Sequence, residues 1–286
     1  VAMIDTKVLM DKILLIGDTI IDINTEGTLL GTTPETPTLV ISKDTEIVTH
    51  GGAALVHRNL AKLKCNYEFI TNNYPITLNK KITTKHRYWC NRHKLLQVDD
   101  RDNTPINDEE SRLIYNHIQK SDFNILAIAD YRHGLLSPKL ISLINTSNKK
   151  IILDSQVSKS PANHHMYKHI YLTILNEHEA KQYVPNASWD NPEELKDGLY
   201  NKIDSLYFIV KFGKLGCIYF NSKSYLYHKT QAIKNPVDES GAGDAFMAAL
   251  LACYQKDSSI SHAIWRANEW ARRSVMVKGA NPPDDR

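Results

Sequence analysis

The sequence predicts an α/β fold: a doubly wound, mostly parallel β-sheet with helices on both faces, and a second, smaller β-sheet beside it. Three observations point there. Residues 12–17 (K-I-L-L-I-G) form a short, nearly continuous apolar run, as expected of a strand buried on both faces of a parallel sheet. From residue 107 onward, helical patterns alternate with short apolar strands. Residues 23–49 lack helical periodicity, are rich in Thr and alternate apolar with polar in places, which suggests strands of a small separate sheet. A length of 286 residues suits one such domain with an appendage.

In chain order, the strand at 12–17 ends in Gly17-Asp18-Thr19-Ile20-Ile21-Asp22. Ligands of open α/β sheets bind beyond the carboxyl ends of strands, so Asp18 and Asp22 stand where a polar substrate would be met; solvated turn residues are the plainer reading. The small sheet follows at about 23–49, with strand candidates at 38–41 and 47–49. His50-Gly51-Gly52 opens an amphipathic helix in which Leu55, Asn59, Leu60 and Leu63 share a face. Gly51 and Gly52 let a substrate approach the backbone, or merely punctuate a strand-to-helix passage. After a strand at 67–70, residues 82–90 and 94–99 alternate as a hairpin that returns to the small sheet, whose second segment thus covers about 80–100. Asn91-Arg92-His93 is its turn. Lys85, Arg87 and Arg92 form a basic cluster suited to a phosphate, or an ordinary solvated face.

Then come a helix over 107–120, a buried strand over 124–129, a helix over 137–145 and a strand over 150–153. Asp130 and Asp154 lie at strand ends on the ligand side; Asp130 joins the substrate-binding candidates, although turn formation explains both carboxylates equally well. His165 and His169 are spaced one helical turn apart, but no carboxylate or Cys nearby completes a ligand set, so a surface helix is expected. The strand at 170–174 ends in Asn176-Glu177-His178-Glu179, and N-x-x-E at a strand-to-helix junction puts Asn176 and Glu179 on one helical face. A capping box has the same spacing. A strand over 206–211 ends on Lys211, and a strand over 217–220 follows Phe212-Gly213-Lys214-Leu215-Gly216. Gly213 and Gly216 allow a nucleotide to lie against the backbone, without the spacing of a P-loop. A last helix spans about 259–278, with Trp265 and Trp270 as core or interface residues.

The densest chemistry lies at Asp238-Glu239-Ser240-Gly241-Ala242-Gly243-Asp244, which leads into a long apolar helix. Two glycines around one small residue let the chain turn tightly, so the amides of Gly241, Ala242, Gly243 and Asp244 converge where the positive end of the helix dipole supports them. That is an anion hole. Asp244 at its mouth would repel a phosphate but is well placed as a base for a hydroxyl that attacks phosphorus. The plain reading is a Gly-containing loop with an Asp in a helix's first turn.

Composition narrows the partners. Lys and Arg number 35 against 32 Asp and Glu, a balance of only +3, which argues against nucleic acid or an acidic membrane as the main partner. No apolar run approaches a membrane span and the start lacks a signal-peptide pattern, so a cytoplasmic protein is expected. Cys65, Cys90, Cys217 and Cys253 lie far apart without a C-x-x-C, as suits reduced thiols better than disulfides or a zinc site.

The pattern D-x-[ST]-G-A-G-D before an apolar helix resembles the signature of the ribokinase-like (PfkB) carbohydrate kinases, and the segment at 17–22, the Gly pair, N-x-x-E and the last helix occur in that family's order. The resemblance implies a ribokinase-like fold whose small sheet is a lid, ATP as phosphoryl donor, Asp244 as catalytic base, Asp22 gripping sugar hydroxyls, and Asn176 with Glu179 organising Mg²⁺. Lys211, Gly213, Gly216 and Asn268, the last flanking adenine, complete the nucleotide set. A monovalent cation near Asp238 and a homodimer formed through the lids are further expectations. Residues 33–37 (T-P-E-T-P), 84–87 (T-K-H-R) and 95–99 (L-L-Q-V-D) are similar to heptose-phosphate kinases that make lipopolysaccharide precursors, which points to a heptose 7-phosphate phosphorylated at C1. Two departures stand out. Leu55 occupies the place of an Asn that contacts the sugar, and only 71–79 separates the strand from the hairpin where the family interposes a helix and a strand. A kinase for another sugar or a nucleoside, and a non-catalytic relative that binds a sugar phosphate, therefore stay open.

Overall fold

The computed structural model describes residues 12–91, 93–156, 162–277 and 279–284. Its first strand, β1 (Ile13–Gly17), is buried throughout, and Asp18 alone separates it from β2 (Thr19–Thr32), which already belongs to the second sheet. The small sheet thus starts earlier than residue 23, and Asp22 sits within a strand instead of a turn. Strand β3 (Leu39–Gly52) runs antiparallel to β2 and hands its final glycine pair directly to α1 (Ala53–Lys62). Strand β4 (Tyr67–Ile70) returns to the main sheet, after which β5 (Thr83–Cys90) and β6 (His93–Asp100) complete the small one in the order β3-β2-β5-β6.

The second half alternates as the periodicity requires. Helix α2 (Asp108–Lys120) starts at a capping box made by Asn107 and Glu110; β7 (Ile125–Asp130), α3 (Pro138–Ile144) and β8 (Lys150–Ser155) follow. Strand β9 (Ile170–Asn176) leads into α4 (Glu177–Lys181), then come α5 (Pro192–Tyr200), β10 (Ser205–Lys211), β11 (Gly216–Phe220), β12 (Tyr225–Lys229), α6 (Ala242–Asp257) and α7 (Ile260–Ser274). Eight strands form the main sheet in the order β12-β11-β10-β9-β8-β7-β1-β4. Those from β10 to β4 are parallel, and β11 and β12 are antiparallel. Because successive side chains of a strand point to opposite faces, Leu14 and Ile16 meet the layer of α2, α3 and α5, while Ile13 and Leu15 meet that of α1, α6 and α7. This two-sided burial is why the strands read as unbroken apolar runs.

Helix α5 and strand β12 are absent from the sequence reading. The local signs of α5 were nonetheless present: Pro192 at its first turn, Glu193 and Glu194 beside it, and buried Leu195 and Leu199 spaced one turn apart. His165 and His169 do not share a helix: residues 164–166 form a single 3-10 turn, and His169 adopts a left-handed φ of 55°. Residues 71–82 contribute no helix or strand, which leaves β4 as the sheet's edge. The last helix stops at Ser274. Arg92 and Lys278 lie outside the described residues.

Leu126 sits on a central strand with no exposed surface, whereas Leu206 is 53% exposed. Leu126→Ala should therefore lower the unfolding free energy by about 2–5 kcal/mol, and Leu206→Ala by less than about 1 kcal/mol. Urea denaturation of both variants checks this; equal losses would contradict the layer assignment.

Candidate active site

The carboxyl ends of the parallel strands and the N-terminus of α6 meet beneath the small sheet. Gly241 caps α6 in the left-handed region, with φ of 80°, a conformation open to glycine at little cost. A Cβ there would also collide with the Leu55 side chain. Leu55 is buried, so the residue that replaces the expected Asn is spent as packing under the turn. Among the described residues the amides of Gly241, Gly243 and Asp244 have no hydrogen-bond partner, while that of Ala242 donates to the Glu239 carbonyl at 3.3 Å. Three of the four expected donors are thus unengaged. A helix N-terminus with unspent amides favours an anion.

Asp244 is the third residue of α6 and accepts a hydrogen bond from the hydroxyl of Tyr131, which lies just past β7. Burial above all, with Asp154 and Asp22, raises the Asp244 carboxyl to about 7 against the opposing pull of Tyr131 and Lys211. Lys211 ends β10, its ammonium 3.3 Å from where a Cβ on Gly243 would lie, and it pairs with Asp154 at 2.9 Å. Burial lowers the proton affinity of Lys211, but Asp154, Glu179 and Asp244 outweigh it and the net direction is upward. One cation thus stands among three carboxylates beside the unspent amides.

Asn176 and Glu179 do form a capping box: the Asn176 side chain accepts from the Glu179 amide at 2.8 Å, and the carboxylate of Glu179 accepts from the Asn176 amide at 2.7 Å. The other Glu179 oxygen, Oε1, accepts no hydrogen bond among the described residues. Glu179 is raised to about 7 by burial and by Asp154, with Lys211 opposing. Hard oxygen donors of this kind, two carboxylates and an amide oxygen, fit Mg²⁺, which takes few protein ligands and keeps its waters. A cavity of about 330 Å³ opens here, lined by Asn176, Lys211, Gly213, Gly243, Phe246 and Asn268 among others. Gly216 is not part of it. Its φ is 107° and a Cβ would strike the His228 carbonyl, so this glycine serves the close pairing of β11 with β12.

In the small sheet, Asp22 projects from β2 toward Gly51, where any Cβ would displace the Asp22 carboxylate, and it forms an ion pair with Arg87. Gly52, with φ of 64°, packs on the Asp18 carbonyl. Lys85 lies opposite Asp22 in the β2–β5 register; burial lowers its proton affinity while Asp22 raises it. Two other expected substrate ligands are committed inside the protein. Asp18 is fully buried, and its two oxygens accept from the amides of His133 and Leu135 at 3.3 and 3.1 Å. Asp130 accepts from Ser155, Asn163, Tyr167 and the Arg132 amide. Both carboxylates fasten the loop that carries Tyr131, and both are buried beneath it. Asp238 likewise accepts from the amides of Ser240 and Gly279, so its carboxylate ties the turn before α6 to the C-terminal segment.

Sequence reasoning assigned Tyr131 no role and left Asp154 open between a ligand-side group and a turn residue. Position at a strand's carboxyl end was the available signal, and it did not distinguish Tyr131 from its neighbours.

A family model described as pfkB family carbohydrate kinase matches residues 137–286. Among curated relatives, bifunctional protein HldE of Campylobacter jejuni strain RM1221 is 26% identical, covering 94% of this chain and 62% of that protein. Bifunctional protein HldE of Helicobacter pylori strain J99 is 26% identical, covering 94% and 63% respectively. The chain thus spans a little over three fifths of the length of these curated relatives. Among solved structures, ribokinase from Thermotoga maritima superimposes with a TM-score of 0.74 at 18% identity over 94% of each chain. Phosphofructokinase-2 from Escherichia coli in complex with potassium does so with a TM-score of 0.73 at 14% identity over 96% of each. The likeness shows the ribokinase-like fold expected from the sequence.

The Asp244 carboxyl should titrate in the free protein with a midpoint near 7, and Tyr131→Phe should move that midpoint to higher pH because it removes a hydrogen bond to the ionised form. Carboxyl ¹³C NMR, with Asp244→Asn identifying the resonance, checks both. An unshifted midpoint in Tyr131→Phe would show that the phenol does not govern this group.

Proposed function

The chain belongs to the pfkB family of carbohydrate kinases, and from that premise we propose that it transfers the γ-phosphoryl group of ATP to the C1 hydroxyl of a heptose 7-phosphate. The observation that carries the transfer is the set of unspent amides at Gly241, Gly243 and Asp244 beside the Asp244 carboxylate. Asp244 takes the proton from the acceptor hydroxyl as its oxygen bonds to the γ-phosphorus and the bond from that phosphorus to the ADP oxygen breaks. The amides and Lys211 hold the charge on the migrating group, and the α6 dipole adds to them. Asn176, Glu179 and Asp154 would hold Mg²⁺, which when bound supplies charge neutralisation at the donor phosphates.

Donor and acceptor would enter from opposite sides of this centre. The nucleotide fills the cavity between Gly213 and Asn268. The sugar lies under the small sheet, where Asp22 accepts from its hydroxyls, held in place by Arg87, and Lys85 with the second face of Arg87 meets the distal phosphate. The heptose choice is supported by the segments at 33–37, 84–87 and 95–99 that resemble heptose-phosphate kinases, and by similarity to proteins named HldE over 94% of the chain. With Leu55 turned into the core, the sugar loses an amide contact, and Asp22 becomes its main side-chain anchor.

Asp244→Asn should lower kcat by about 10²–10⁴-fold and leave ATP affinity nearly unchanged. Measured by ADP release, the wild type should accept a heptose 7-phosphate in preference to a panel of other sugars, sugar phosphates and nucleosides, and kcat/KM should rise with pH through about 7 as Asp244 ionises. Turnover retained in Asp244→Asn would refute the base assignment; preference for another acceptor would refute the heptose assignment alone; ligand binding without ADP release from any acceptor would establish a non-catalytic protein.

A further inference from the structure

At the opposite end of α6 from Asp244, about 20 Å along the helix axis at 1.5 Å per residue, three side chains of different chemistry converge. Cys253 and Asp257 are one turn apart on α6, and His262 lies in the first turn of α7. The elbow between the helices is tight: Ser258 takes a left-handed φ of 54°, and Ser259 caps α7 by accepting from the His262 amide. As a result Cys253 Sγ lies 3.6 Å from His262 Nδ1 and 4.0 Å from Asp257 Oδ2, with 2.6 Å between Nδ1 and Oδ2. Among the described residues this is the one group of three His, Cys or carboxylate ligands whose donor atoms lie within 4.8 Å of one another.

We propose that Cys253, Asp257 and His262 bind a divalent transition-metal ion, Zn²⁺ being the best chemical fit. Zinc–ligand bonds of about 2.0–2.3 Å in a tetrahedron separate the donor atoms by roughly 3.3–3.6 Å. The Sγ–Nδ1 distance already has that value. The Oδ2 contact needs to shift by under about 1 Å, within reach of a side-chain rotation at a partly exposed surface. Thiolate plus imidazole selects Zn²⁺ over the hard cations Mg²⁺ and Ca²⁺. The imidazole is already oriented, since it stacks on Trp265 with a centroid distance of 6.1 Å and an interplanar angle of 20°. A cavity of about 180 Å³ adjoins the three ligands, so the fourth position is open to water or an added ligand, as in a non-structural zinc site. Lys256 and Arg266 border the same cavity; they disfavour a cation, and they oppose without overcoming the burial and the Asp257 charge that raise the Cys253 thiol, so the metal itself must draw off the proton. The plainer alternative is that Asp257 and His262 form only an ion pair that fastens the elbow.

Cobalt(II) substitution separates the two, independently of any kinase activity. Titrated with Co²⁺, the wild type should develop one equivalent of thiolate-to-cobalt charge-transfer absorbance together with tetrahedral d–d bands, and Zn²⁺ should bleach both. Cys253→Ser should lose the charge-transfer band, and His262→Ala should weaken metal binding at least tenfold. Both positions are partly exposed, so both variants should fold, which circular dichroism verifies, and phosphoryl transfer should be unchanged in each. Absence of the band in the wild type, or its persistence in Cys253→Ser, would overturn the site.

Discussion

The candidate active centre depends on three main-chain amides that have no partner among the described residues. The first amides of a helix lack intrahelical partners, and those of Gly241, Gly243 and Asp244 are open to an external acceptor, which the positive end of the helix favours as an anion. They stay open because no carbonyl precedes them in helical register. Gly241 turns through the left-handed region while Leu55 presses on it from below, which aims the first turn of α6 at the cavity and away from the protein's own carbonyls. A side chain at 241 would force the turn off Leu55 and redirect those donors.

Around those amides three carboxylates outnumber one cation. Asp154, Glu179 and Asp244 would repel a polyphosphate if left alone, and Lys211 offsets them from the end of β10. Burial holds Asp244 and Glu179 near pH 7, so each is poised between charge states instead of fixed in one. Such poise is what the base role proposed for Asp244 requires.

The loop after β7 shows how a buried carboxylate becomes architecture. Asp18 and Asp130 stand at strand ends, where open α/β sheets meet their ligands, yet each spends its oxygens on neighbouring amides and hydroxyls. Fully buried carboxylates rarely go unpaired, and here their pairing fixes the loop that delivers Tyr131 to Asp244. Asp22 differs in that it belongs to a strand of the small sheet, faces a glycine and pairs with a single arginine, Arg87.

The sequence alone determined whatever depends on residues close along the chain. Strand and helix periods, the order of elements from 107 to 176, the glycine turn before α6 and the Asn176–Glu179 pair are local patterns, and local patterns are written in neighbouring side chains. Tertiary structure decided what crosses the chain. Tyr131 reaches Asp244 over 113 positions and Lys211 reaches Asp154 over 57, Leu55 in α1 becomes the floor of the turn before α6, and Cys253 gains His262 across a helix elbow. No spacing rule encodes such contacts, because they arise only once the parallel sheet has brought its carboxyl ends together and packed the helices over them.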